Sequence, residues 1–71
     1  MTLANAQPHK VYTVIRADGE MAIRLAELGF AEGSKVIVTG VSPTKGAVLA
    51  LLRGRTVALR ASVAASVSVR E

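Results

Sequence analysis

The side chains able to do chemistry in this 71-residue chain are few and scattered. The carboxylates are Asp18, Glu20, Glu27, Glu32 and Glu71, the one histidine is His9, and there is no cysteine. Nucleophilic or acid–base catalysis needs a nucleophile beside a base, or two carboxyl groups in different environments, and a metal centre needs several converging ligands. His9 stands alone in a polar N-terminal segment, and the carboxylates show no metal-loop spacing. Glu27 falls three residues after Arg24, the spacing of a surface ion pair on one helical turn. Gly29 and Gly33 do not make a phosphate loop, because no Gly-Lys-Ser/Thr follows and each glycine has a stop or a turn to form. These residues predict no catalytic group, no metal site and no cofactor. What the chain does carry is charge: nine Lys and Arg against five Asp and Glu, a formal net charge of +4. Such a balance suits nucleic acid, an anionic membrane surface or an acidic protein partner. The basic residues are spread along the sequence, as on an ordinary solvated surface.

The elements that must position these groups are clearest between Glu20 and Val38. Met21, Leu25 and Leu28 fall at i, i+4 and i+7, one stripe of a helix. Gly29 follows the last apolar position and is the expected left-handed stop, with Phe30 beyond it placed to pack on Leu25 in a Schellman ending. Asp18 is the expected N-cap, and Glu20 puts negative charge in the first turn. The spacing predicts a helix over about residues 19–28. Ala31-Glu32-Gly33 then reads as a turn with positive φ at Gly33, followed by a strand from Lys35 to Val41.

Earlier in the chain, Thr2 to Gln7 reads as one helical turn and Lys10 to Arg16 as a first strand whose buried face is undecided. Further on, Ser42 to Gly46 is a turn-rich loop. Arg53-Gly54 is a two-residue hairpin turn flanked by Leu52 and Arg55. That turn fixes a register: Ala50 faces Val57 and Val48 faces Leu59 on the core side. Leu49 then lies beside Ala58, Leu51 beside Thr56 and Ala47 near Arg60 on the opposite side. Leu49 and Leu51 are therefore either covered by the helix or a terminal strand, or left free for self-association or a partner. Ala61 to Ala65 reads as a helical turn and Val67 to Val69 as a last strand. Five short strands with one inserted α-helix point to a mainly β fold, a small, strongly bent antiparallel barrel or sandwich.

A helix with Arg24, Leu25, Leu28, Gly29 and Gly33, then a β-branched strand, Pro43, an apolar strand, Arg53-Gly54 and a strand ending in Leu59 and Arg60 resembles the FeoA family of bacterial ferrous-iron uptake. The opening Thr2-Leu3-Ala4 also matches, so the likeness spans nearly the whole chain. Glu32 stands where the family usually has proline, Arg55 where it often has an aromatic, and Thr44-Lys45-Gly46 lacks a usual acidic residue. The resemblance implies an SH3-like five-stranded barrel with one inserted helix. It also implies a non-enzymatic accessory protein that binds the cytoplasmic side of the membrane transporter FeoB. Partner contacts are then expected at Leu49 and Leu51, and at the basic residues flanking the hairpin, Arg53, Arg55 and Arg60.

Size and composition agree with one small domain over residues 1–71, marginal in stability and without disulfides to staple it. The N-terminal segment has no apolar signal region, and no stretch approaches the ~20 apolar residues of a membrane span, which predicts a cytoplasmic protein that is not membrane-inserted. The competing reading is a small SH3-like nucleic-acid-binding module. Base-stacking surfaces use aromatics, however, and only Tyr12 and Phe30 are present, so no nucleic acid is expected. The FeoA-like domain of metal-dependent repressors is a third reading, and with no helix-turn-helix here it would lack the DNA-reading half.

Overall fold

Arg53 and Gly54 hold φ of 51° and 80°, the positive pair that a type I′ turn requires and that matches the twist of the strands it joins. The turn connects strand β3 (Ala47–Leu52) to β4 (Arg55–Arg60), and all six cross-strand pairs from Leu52↔Arg55 to Ala47↔Arg60 form as the turn dictates. The computed structural model describes residues 1–71. Its other elements are β1 (Val11–Ala17), α1 (Ala22–Leu28), β2 (Lys35–Val41), α2 (Ala61–Ala64) and β5 (Val67–Arg70), with a 3-10 turn at Leu3–Asn5. The five strands make one antiparallel sheet in the order β4-β3-β2-β1-β5. Irregularities between Val14 and Arg16 and between Val38 and Gly40 add the local bends by which a short sheet curls over its own core. No helix is long and apolar enough to cross a membrane.

The concave face carries Tyr12, Val14, Val36, Val38, Val48, Ala50, Leu52 and Leu59, closed over by Leu3, Leu25, Phe30 and Ala64. The undecided face of β1 is settled by this core: Tyr12 and Val14 point in, alternation leaves Ile15 outward and exposed, and the irregularity after Val14 sets Arg16 beside Ser68 and Ala17, rather than Arg16, beside the buried Val67. Tyr12 keeps its hydroxyl paired by accepting from the Gln7 N–H at 3.0 Å. Ser42 secures the β2–β3 loop, its Oγ accepting from the Gly46 and Ala47 N–H groups at 3.0 and 3.1 Å.

The two ends of α1 differ. At the C-terminal end Gly29 sits at φ 114°, its N–H reaching Ala26 O at 3.1 Å while the Phe30 N–H reaches Leu25 O at 2.9 Å. This is the expected Schellman ending, with Leu25 and Phe30 both buried. The N-terminal end departs from expectation. The helix begins at Ala22, Met21 precedes it, and no side chain caps it. Asp18 makes no cap hydrogen bond to the first turn and instead accepts from Arg16 Nε at 3.1 Å. Gly19, at φ 85°, makes the entry turn and its carbonyl accepts from the Ala22 N–H at 3.2 Å. Glu20 therefore precedes the helix, and Met21 is exposed rather than part of the buried stripe. The Arg24–Glu27 pair also does not form; the ion pairs are Lys10–Glu71 and Arg16–Asp18.

Candidate protein-interaction face

The titratable groups do not assemble into a reactive centre. No three of the His, Asp and Glu side chains gather closely enough to hold a metal ion, and the surface forms no ligand-sized pocket. His9 is exposed in a left-handed loop position, φ 65°, where its backbone N–H donates to Val38 O at 2.7 Å. The Lys10 pKa is raised above its ordinary value of 10.5, chiefly by the hydrogen bond to Glu71.

The convex face of the sheet is more informative. Val11 stands beside Ile37, Ile37 beside Leu51 and Leu51 beside Thr56, so one row crosses four strands. The next row runs from Gly40 through Leu49 to Ala58, and Ala47 with Arg60 follows. Leu49 is 39% exposed and Val11 is exposed, while Ile37 and Leu51 are half-buried by their neighbours. This apolar strip is framed by cations: Arg60 at one end, and at the other Lys35, whose Nζ donates to Thr13 Oγ1 at 2.7 Å. Alternation along the strand explains the outward placement, since residues 48, 50 and 52 of the same strand occupy the core.

The five expected contact residues are only partly brought together. Leu49, Leu51 and Arg60 share the convex face. Arg55 pairs with Leu52, on the opposite side of β4 from Thr56, and is exposed there. Arg53 leans over the end of α1: a Cβ built on Gly29 would lie 3.4 Å from its Cδ and 3.5 Å from its Nε. That position places a cation beside the negative end of the helix dipole, a local structural role. Val11, Ile37 and Lys35 were not singled out from the sequence, because their place beside Leu51 depends on the pairing of distant strands.

The FeoA domain family matches residues 1–71. The chain belongs to the FeoA family. No individually curated protein matches it by sequence. Among solved structures, a FeoA of Stenotrophomonas maltophilia complexed with zinc is 32% identical to this FeoA chain, with a TM-score of 0.86 over 97% of this chain and 88% of that one. That protein is described as a procaryotic SH3 domain protein and a candidate activating factor of bacterial ferrous-iron transport. FeoA from Chlorobium tepidum superposes with a TM-score of 0.89 at 24% identity, over 99% of this chain and 69% of that one. The manganese regulator SloR reaches 0.82 at 15% identity, covering 99% of this chain and 34% of its own, a likeness of fold alone. The mainly β, SH3-like fold with one inserted helix expected from the sequence is the fold of this FeoA chain, and its family is associated with ferrous-iron transport.

Proposed function

We propose that this FeoA chain is a non-enzymatic accessory protein of ferrous-iron uptake that binds the cytoplasmic side of a FeoB-like membrane transporter. The observation that carries the reading is the convex strip of Val11, Ile37, Leu49 and Leu51, left open between Lys35 and Arg60 in a chain of an iron-transport family. Burying Leu49 and Leu51 against a partner removes apolar surface from water, which drives association. Arg60, together with Arg53 and Arg55 at the turn, draws acidic partner groups, speeding and orienting encounter and making binding weaken as salt rises. The protein then works in the cytoplasm, where that side of the transporter lies. The Stenotrophomonas relative is complexed with zinc, whereas His9 of this chain belongs to no group of three or more His, Asp or Glu side chains that could hold a metal ion. The net positive charge also fits a nucleic-acid-binding module, but Tyr12 and Phe30 are both 1% exposed and present no ring on which a base could stack.

Two measurements separate the readings: ferrous-iron uptake in a strain lacking the protein, and salt-dependent binding of the purified chain to the transporter's cytoplasmic portion, RNA and DNA. Reduced uptake with salt-sensitive transporter binding is expected. Normal uptake together with submicromolar nucleic-acid binding removes the transporter reading and promotes its rival.

A further inference from the structure

The two edges of the sheet are finished differently. The outer edge of β5 is occupied by the chain itself: Thr2 bridges Ser68, and the Val69 N–H donates to Met1 O at 2.9 Å. The outer edge of β4 has no strand beside it. Leu52 and Arg55 close the two-residue turn as a hydrogen-bonded pair, and the alternation of an antiparallel ladder then turns the N–H and C=O of Thr56 and Ala58 away from β3. No bond outside the ladders engages either residue. Their short side chains do not shield the backbone. At the strand ends, Arg55 and Arg60 are exposed and neither belongs to an ion pair.

We infer that the free edge of β4 takes an extended, acidic segment of a partner protein as a sixth strand. An open edge is a ready template for another chain, and proteins ordinarily charge, shorten or cover it. Here the charge selects among occupants. Pairing with a second copy would bring two more arginines to the shared edge and offer none of them a carboxylate, because β4 itself carries no Asp or Glu. The same positions favour Asp or Glu in a foreign strand, one opposite Arg60 and one opposite Arg55. Side chains of that strand lying beside Thr56 and Ala58 extend the apolar rows of Ile37, Leu51 and Leu49, so the segment is apolar between its acidic ends. This deepens the transporter reading and rests on it only for which protein supplies the segment.

The test uses the purified chain with two short synthetic peptides, a Val/Thr-rich centre flanked by Asp and the same centre flanked by Lys. The Asp peptide is expected to bind roughly tenfold more tightly and to slow amide exchange at Thr56 and Ala58. Equal affinities, protection elsewhere, or protection of these amides that grows with protein concentration alone would overturn the inference, the last in favour of a second copy. Ala58→Pro deletes one outward N–H without touching a bond to β3, a substitution edge strands tolerate, and should weaken the Asp peptide roughly tenfold. Unchanged binding by this variant rejects strand addition. If it fails to fold, Arg55→Glu with Arg60→Glu decides, because the preference must then pass to the Lys peptide. Exchange is also measured with the transporter's cytoplasmic portion. Peptide binding without transporter binding removes the proposed partner and keeps the site, whereas transporter binding that leaves Thr56 and Ala58 unprotected keeps the partner and removes the site.

Discussion

The two faces of β3 use the same kinds of residue for opposite ends. Val48, Ala50 and Leu52 point into the core and are nearly inaccessible, whereas Leu49 and Leu51, one step along the same backbone, look outward. Residue type does not separate the two sets; only register does, and a slip of one position would exchange them. The type I′ turn at Arg53-Gly54 therefore decides which leucines stabilise the fold and which are free to meet a partner.

The contrast is broken most forcefully from the inside. Leu52→Ala empties a fully buried site, and the melting curve should record a loss of about 2–5 kcal/mol. A loss no larger than that of a surface substitution would mean that Leu52 is not the inward residue. Gly29→Val acts on the same site from the helix side. A Cβ there would lie 3.2 Å from Leu52 Cδ1 at φ 114°, so backbone strain and crowding coincide. The expected cost is about 1–3 kcal/mol, read from thermal melts, and an unchanged melting temperature would remove the helix stop from Gly29.

Outside, the expectation reverses. Leu49→Lys combined with Leu51→Glu should shift stability by less than about 1 kcal/mol, in line with surface substitutions, while lowering binding to the transporter's cytoplasmic portion. An unfolded double variant would place these leucines in the core. The smallest effect is expected at Lys10. Its pKa is raised above 10.5 in the folded chain, so the contribution of its pair with Glu71 is complete below that value and fades as pH climbs through the folded pKa. Comparing wild type with Lys10→Gln in alkaline melts should show the difference between them disappear only at high pH. A difference that instead vanishes on acidification through neutrality contradicts the assignment.

What could be read from the sequence was whatever short-range geometry settles. The hairpin register follows from two turn residues and simple alternation, and the stop of α1 follows from Gly29 with Leu25 and Phe30 nearby. The start of α1 was misread because Asp18 had a competing partner in Arg16, a choice that spacing alone does not reveal. The buried face of β1 was undecidable because Val11, Tyr12, Val14 and Ile15 are apolar on both sides, and the irregularity that sets Ala17 rather than Arg16 beside Val67 arises in the pairing with β5. The convex apolar strip was legible at Leu49, Leu51 and Arg60 and illegible at Val11, Ile37 and Lys35. Strand order alone brings those three alongside, and strand order is a property of the whole chain.

That order has a consequence for how the protein is made. The strand nearest the C-terminus lies beside β1, so the first strand to leave the ribosome waits for Val67–Arg70 before its second neighbour exists. At roughly 5–20 residues per second, β1 spends seconds with one ladder face unsatisfied. Met1 and Thr2 wait longer still for Val69 and Ser68. Closure is thus a long-range event of the kind that slows folding, and one edge of β1 stays open to stray strand pairing until β5 emerges.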